Sequence, residues 1–227
     1  MNTLLDLSDR LYLDVADFAH STPHWFQWLA EVWTEAGLLL FGVLFLAGWW
    51  RSREGSSRVM ALALLAPLAT AFGYVASEAF KSLVDEERPC RAVAGAPASL
   101  VACPPHGDWS FPSNHSAIAG AAAIALALSW RGIVWLTVPM ALLMAFSRVF
   151  VGVHYPHDVT VGLLVGALVA FVVMRAAERP VRSLVETARS SGNAAMVWCA
   201  GRGQAAHAAG HAPAHSERPP RARHGAY

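Results

Sequence analysis

The chain has 227 residues, of which 55% are hydrophobic and only 15% charged, with a formal net charge of +1 and a mean hydropathy of +0.38. The charged fraction lies well below the roughly 25% usual for soluble domains, and the apolar residues come in long blocks, which argues for a membrane protein. No basic stripe interleaved with aromatics is present, so the composition offers no footprint for a nucleic-acid partner.

The first twenty residues carry Asp6, Asp9, Asp14 and Asp17 where a secretory signal needs positive charge followed by an apolar run, and no cleaved signal is expected. Leu5, Leu11, Leu13, Val15 and Phe18 interleave with these acids, which predicts a helix lying on the membrane surface. Trp25, Trp28 and Trp33 follow as interfacial anchors, and residues 1–28 are read as one surface segment. Crossing a hydrocarbon core about 30 Å thick takes roughly 17 to 25 apolar residues in a helix. Five blocks approach or reach that length, at about residues 32–50, 59–80, 116–130, 133–150 and 159–174. They mostly lack polar stripes at the 3.6-residue period of soluble helices. The expected fold is all-α, an integral membrane bundle of about five transmembrane helices plus the N-terminal interfacial helix, over residues 1–178.

Orientation follows from Lys and Arg in short loops. Arg51, Arg53 and Arg58 lie between the first two blocks, Arg131 sits between the third and fourth, and Arg175, Arg179 and Arg182 follow the fifth. These places share one side, expected to be the cytoplasm, which leaves the N-terminus and residues 81–115 outside an inner membrane. Residues 179–227 turn to Ala, Gly, Arg, Pro and His; a short cytoplasmic helix near "VRSLVETARS" followed by a largely disordered tail is expected. The regular spacing of His207, His211 and His215 in that tail reads as low complexity rather than a metal site. Cys90 and Cys103 both fall in the external segment, where a disulfide is chemically allowed and would add about 3 kcal/mol in the chain-entropy treatment.

Three polar clusters interrupt the apolar pattern, and the topology brings all three to one membrane face. "KSLVDEERP" contains Lys81, Arg88 and Pro89; "FPSNHS" contains Pro112, Ser113, Asn114 and His115; "SRVFVGVHYPHD" contains Arg148, His154, His157 and Asp158. Ionisable groups at membrane depth mark a functional site by default. Lys81, Arg88 and Arg148 face few acids that are not already claimed, so an anion is expected to fill the gap between them. Arg offers a planar fork that matches phosphate oxygens, Lys a compact charge, and Ser113 with the amides opening a helix adds donors at a positive dipole end. The clusters describe a phosphate cradle.

Pro156 fits the first turn of a helix and pushes Tyr155 toward an extended conformation, leaving His154 just before the helix and Asp158 in its first turn. Asp158 is then placed to accept the proton-bearing nitrogen of His154 and leave the other ring nitrogen as a free lone pair aimed at phosphorus. His115 is placed to protonate the leaving oxygen and afterwards to activate water. Three cations take the part a magnesium ion would play, so neither metal nor cofactor is expected. Spacing alone leaves His157 as a rival nucleophile.

At these residues the chain resembles the type 2 phosphatidic acid phosphatase superfamily, which also includes vanadium-dependent haloperoxidases and glucose-6-phosphatase-like enzymes. Lys81, Arg88 and Pro89 match its first motif, Pro112, Ser113 and His115 its second, and Ser147, Arg148, His154 and Asp158 its third. The resemblance spans about residues 60–175. It implies His154 as nucleophile, Asp158 as its partner, His115 as acid/base, and Lys81, Arg88, Ser113, Asn114 and Arg148 around the phosphate, and it demotes His157. Asn114 stands where the family usually has Gly. Because Asn is among the residues best able to adopt positive φ, its backbone amide is expected to keep the phosphate contact.

The reading that follows is a membrane lipid phosphatase working on a phosphorylated lipid whose tail stays in the bilayer, with undecaprenyl diphosphate favoured over phosphatidylglycerol phosphate and phosphatidic acid. A lipid phosphotransferase shares every residue named. A small transporter would place its charges near the bilayer midplane and often show internal repeats; no repeat is found, and the charges sit at span ends.

Overall fold

The structure is a computed structural model, and it describes residues 2–203. In chain order the helices are α1 (Asn2–Ser21), α2 (His24–Ser52), α3 (Ser57–Lys81), the single turn α4 (Pro89–Ala92), α5 (Asn114–Ser129), α6 (Val134–Phe150, entered through a 3-10 turn at Arg131–Ile133), α7 (Pro156–Ser190) and α8 (Ala194–Ala200). No strand occurs among the described residues. The segments His24–Ser52, Ser57–Lys81, Arg131–Phe150 and Pro156–Ser190 are long and apolar enough to cross a membrane. Their outer faces carry Leu39, Leu46, Leu68, Trp135, Leu164 and Leu168, each more than half exposed, a surface that only lipid solvates well.

The fifth expected span is the odd one. At 16 residues, α5 is about 24 Å long, short of the roughly 30 Å core. It is surrounded by protein rather than lipid, with Ala117, Ala119, Ala121, Ala122 and Ala125 fully buried, Ala121 and Ala125 among residues of α3 and α7. Small residues permit this close packing. A Cβ placed on Gly166 of α7 would lie 1.9 Å from the Ala117 carbonyl oxygen, and one on Gly120 of α5 would lie 2.4 Å from the Leu163 carbonyl oxygen. The triad α3–α5–α7 is thus drawn together at backbone contact. On one side of it Phe41 of α2 packs with Met140 and Met144 of α6 over Ala119, Ala122 and Ala123.

Helix α1 lies against the end of the bundle through Tyr12 and Ala16, which pack on Ala145, Val149, Tyr155 and Val159, while Leu5, Leu7, Leu11 and Phe18 stay exposed. The Trp-rich stretch expected to finish the surface segment at residue 28 belongs instead to the first turns of α2, which begins at His24. The boundary expected at residue 178 likewise falls inside α7, a continuous helix of 35 residues about 52 Å long, more than a bilayer core requires. Its far end and α8 fold back on the start of α3. Val185 and Ala200 bury against Met60 and Ala61, Arg189 Nε donates to the Ala200 carbonyl at 3.0 Å, and the Arg53 guanidinium lies 4.7 to 5.4 Å from the ring centres of Trp49, Trp50 and Trp198. The expected tail beyond residue 203, with His207, His211 and His215, lies outside the described residues.

Close packing at α5 has a measurable consequence. Gly166→Ala forces α7 away from α5 and is expected to cost about 1–3 kcal/mol, read as a lower melting temperature of the detergent-solubilised protein. Gly42→Ala, at a position with nothing within 4 Å of the added carbon, is expected to leave the melting temperature undiminished.

Candidate active site

Lys81 ends α3, Arg88 precedes α4, Ser113 and His115 open α5, Arg148 lies in the last turn of α6, and His154 and Asp158 flank the start of α7. Up-and-down connectivity places all of them at one end of the bundle. Arg51, Arg58 and Arg131 lie at the other, where Arg58 pairs with Glu178 and Arg51 lies over Trp130.

The link between α6 and α7 is held on several sides. Gly152 turns the chain with φ +86, and a Cβ there would lie 3.1 Å from the Ser99 Cα. Val151 accepts from the Leu100 amide, the Val153 amide donates to the Arg148 carbonyl, and Tyr12 donates to the Gly152 carbonyl. Tyr155 is extended, with Pro156 as the first helical residue. The Tyr155 amide donates to Asp158 Oδ2 at 2.8 Å, Ser110 donates to the same oxygen, and His154 Nδ1 lies 3.2 Å from it. Asp158 is fully buried. A buried carboxylate needs donors, and the one on the ring fixes the tautomer: Nδ1 carries the proton and Nε2 presents its lone pair.

That lone pair faces Arg88, whose Nη1 lies 3.1 Å from His154 Nε2 and 3.1 Å from the Val153 carbonyl oxygen. The rest of the Arg88 fork is engaged by Asp108, through Nε to the backbone carbonyl at 2.7 Å and Nη2 to Oδ1 at 3.0 Å. Lys81 Nζ reaches the same Oδ1 at 3.1 Å. The expectation that few unclaimed acids lie near the three cations is therefore corrected: Asp108, carried in by the turn after Pro105, already bridges two of them. Arg148 Nη1 donates to Thr34 of α2 at 2.9 Å and lies 3.7 Å from Glu35, while its buried Nε has no partner among the described residues. His115 is half-buried, lies near the charges of Arg148, Arg88 and Lys81, and makes no side-chain hydrogen bond among the described residues.

Asn114 needs no left-handed conformation. It is the first residue of α5, and no described residue other than glycine has positive φ. Its side chain is turned away to α3, donating to Glu78 and accepting from Ser77, so whatever it offers an anion comes from the backbone. The Ser113 amide donates to the Asp158 carbonyl at 3.2 Å, which ties the start of α5 to the start of α7. His157 is committed elsewhere: Nδ1 pairs with Ser8 at 2.7 Å, Nε2 lies 2.9 Å from Glu86, and the ring stacks on Tyr155. It also lies 3.2 Å from Asp158 Oδ1. Glu86, His157 and Asp158 form the one group of metal-ligand type found among the described residues; His157 Nε2 bonds Glu86, whereas Asp158 Oδ1 is buried with no hydrogen-bond partner among the described residues.

The segment 82–113 roofs the pocket. Cys90 and Cys103 are joined in a disulfide across a 13-residue separation with Cα atoms 6.2 Å apart, the Ser110 amide donates to the Glu86 carbonyl, and Arg91 bonds Glu87 and the Pro105 carbonyl. Asp108, Ser110, Thr34 and Glu86 were not singled out from the sequence. Only the run "GDWSFPS" before the second motif placed an acid and a hydroxyl within reach of it; Thr34 had no local signal.

Electrostatics follow from this geometry. Burial pushes the His154 imidazole down to about 4, against the opposing pull of Asp158 and with the help of Arg148 and Arg88. For Asp108 burial works against ionisation, but Arg88 and Lys81 outweigh it and hold the carboxyl below its usual range.

Comparison with known proteins gives the family. The family model of the PAP2 superfamily matches residues 61–182. The undecaprenyl-diphosphatase BcrC of Bacillus subtilis is 34% identical over 155 residues, covering 67% of this chain and 76% of that relative. Decaprenylphosphoryl-5-phosphoribose phosphatase of Mycobacterium tuberculosis is 38% identical over 41% of this chain and 49% of its own length. Among solved structures, Aquifex aeolicus LpxE superposes with a TM-score of 0.59 at 21% identity, covering 73% of this chain and 93% of that one. The transmembrane PAP2 type phosphatidylglycerolphosphate phosphatase of Bacillus subtilis gives 0.55 at 21% identity, over 79% and 88%. These two establish the shared fold. The molecule is a membrane phosphatase by fold and family. The chain belongs to the PAP2 superfamily.

The depressed affinity of His154 for protons gives a signed prediction. Between its ordinary value near 6.5 and about 4, the unfolded chain takes up a proton that the folded one refuses, so this residue makes stability fall as pH drops through that window. Wild type is expected to lose more melting temperature between pH 7 and pH 4.5 than His154→Gln does; equal losses would contradict the assignment.

Proposed function

We propose that the protein hydrolyses the terminal phosphate of a lipid, undecaprenyl diphosphate first among the candidates, at the outer face of the cytoplasmic membrane through a phosphohistidine on His154. The observation that carries this reading is the buried ring whose Nδ1 is taken by Asp158 and whose Nε2 faces the Lys81–Arg88 cradle. The BcrC relative, named as an undecaprenyl-diphosphatase and similar over three quarters of its length, supports the choice of lipid.

In the proposed reaction the Nε2 lone pair of His154 forms a bond to the terminal phosphorus while the bond from phosphorus to the bridging oxygen breaks. The departing lipid phosphate keeps that electron pair and takes a proton from His115. His115, now neutral, removes a proton from water, the water oxygen bonds to phosphorus, and the N–P electron pair returns to Nε2, releasing inorganic phosphate. Asp158 stabilises the positive charge that His154 acquires in the first half. Lys81, Arg88 and Arg148, with the amides opening α5, hold the equatorial oxygens and neutralise their charge. Positioned cations of this kind supply the electrostatic function of a divalent ion, so the reaction needs no metal.

Placement at the outer face rests on charge and on sulfur chemistry. Arg51, Arg53, Arg58 and Arg131 lie at the end of the bundle opposite the pocket, and basic loops favour the cytoplasm. The Cys90–Cys103 disulfide belongs to the pocket end, and the free Cys199 to the other; disulfides persist outside the reducing cytosol. On this reading α8 is cytoplasmic.

Purified protein in detergent, treated with EDTA, is expected to release phosphate from undecaprenyl diphosphate faster than from phosphatidylglycerol phosphate or phosphatidic acid. His154→Ala is expected to lower kcat by roughly three or more orders of magnitude, and His157→Ala far less. Comparable losses in both variants, or activity that appears only with added magnesium, would overturn the mechanism.

A further inference from the structure

A single carboxylate oxygen, Asp108 Oδ1, sits between Lys81 Nζ and Arg88 Nη2, at 3.1 and 3.0 Å. The two cations are buried, their side chains 10% and 4% exposed, whereas that of Asp108 is 44% exposed. Arg88 does not depend on this carboxylate for its orientation, because the Asp108 backbone carbonyl, the Val153 carbonyl and His154 Nε2 hold the same fork. Lys81 has a second acid nearby, with Glu78 at 3.9 Å. The carboxylate can therefore leave by a change of side-chain rotamer while its backbone stays bonded to Arg88, and it leaves toward water.

We propose that Asp108 is a built-in competitor for the phosphate cradle: its carboxylate fills the anion position between Lys81 and Arg88, and a substrate phosphate binds by displacing it. This rests on the phosphatase reading above and deepens it into a rule of specificity. A terminal phosphate carries about −1.5 to −2 charge at neutral pH, whereas a phosphodiester headgroup carries a single negative charge, no more than the carboxylate already in place. The dianion gains more from two buried cations than Asp108 does, and the diester does not. The pocket stands in a bilayer whose ordinary lipids are diesters in large excess over any terminal phosphate. A resident carboxylate keeps those headgroups out of the cradle, and after turnover it re-enters and helps expel inorganic phosphate.

The test compares wild type with Asp108→Asn and Asp108→Glu as full-length protein in detergent, using orthovanadate and phosphatidylglycerol as probes. Asp108→Asn is expected to bind orthovanadate about tenfold more tightly, equivalent to about 1.4 kcal/mol, and to become inhibitable by phosphatidylglycerol at concentrations that leave wild type unaffected. Asp108→Glu is expected to restore both properties toward wild type. If turnover of Asp108→Asn is too slow for inhibition constants, the rise in melting temperature produced by inorganic phosphate reports the same affinity and is expected to be larger than for wild type. A folded Asp108→Asn variant that binds vanadate or phosphate no better than wild type, or worse, overturns the proposal and makes Asp108 a clamp for the two cations. Wild type that hydrolyses terminal phosphates while Asp108→Asn gains no affinity defeats this inference alone; wild type that neither hydrolyses nor binds vanadate defeats the phosphatase reading and the inference with it.

Discussion

Asp158 gathers the site. One of its oxygens takes the Tyr155 amide, the Ser110 hydroxyl and the His154 ring, and its own carbonyl takes the amide of Ser113. A fully buried carboxylate is costly without donors, and those it has all fall on Oδ2, Oδ1 having no hydrogen-bond partner among the described residues. The roof segment, the α6–α7 link and the start of α5 are therefore obliged to converge on it. The same interaction that satisfies this charge sets the tautomer of His154, so the folding requirement and the chemical requirement are met by one contact.

The bundle makes that convergence possible through small residues. Because α5 is built from Ala and Gly and touches α7 at the backbone, Ser113 and His115 at its mouth come within the reach of Asp158 and the cationic pocket. A helix of ordinary side chains would hold the two ends several ångströms further apart. The shortness of α5 has the same sense: it is enclosed by α3 and α7, so its polar opening lies in the pocket, under the roof, and not in lipid. The arginine-rich end of the bundle is closed differently, by α8 and the far part of α7 folding onto α3.

Much of this was legible in the sequence because it is local or periodic. The apolar blocks set the spans, and Pro156 with Asp158 four residues after His154 set the geometry of the dyad, since both lie within one helical turn of each other. The PAP2 motifs supplied the rest of the cradle. What escaped depends on contacts between distant segments. Thr34 reaches Arg148 only because α2 packs on α6, and Asp108 enters the cradle because a turn in the roof aims it there. Asn114 was read for its freedom to adopt positive φ, but a helix N-terminus asks for no such conformation, and Glu78 and Ser77 claim its side chain. The boundary at 178 followed the drop in hydropathy, which marks where lipid contact ends rather than where the helix does; α7 continues because Val185 still has Met60 and Ala61 to pack against.

The proposed chemistry turns on a direct bond from Nε2 of His154 to phosphorus. Rapid mixing of the enzyme with lipid diphosphate labelled in the terminal phosphate, quenched into alkali where phosphohistidine survives and followed by peptide mapping, tests it most directly. Label is expected on the peptide containing His154, at Nε2, and is expected to be absent in His154→Ala. Label on His157 or His115, or hydrolysis with no labelled histidine at any time point, would contradict it.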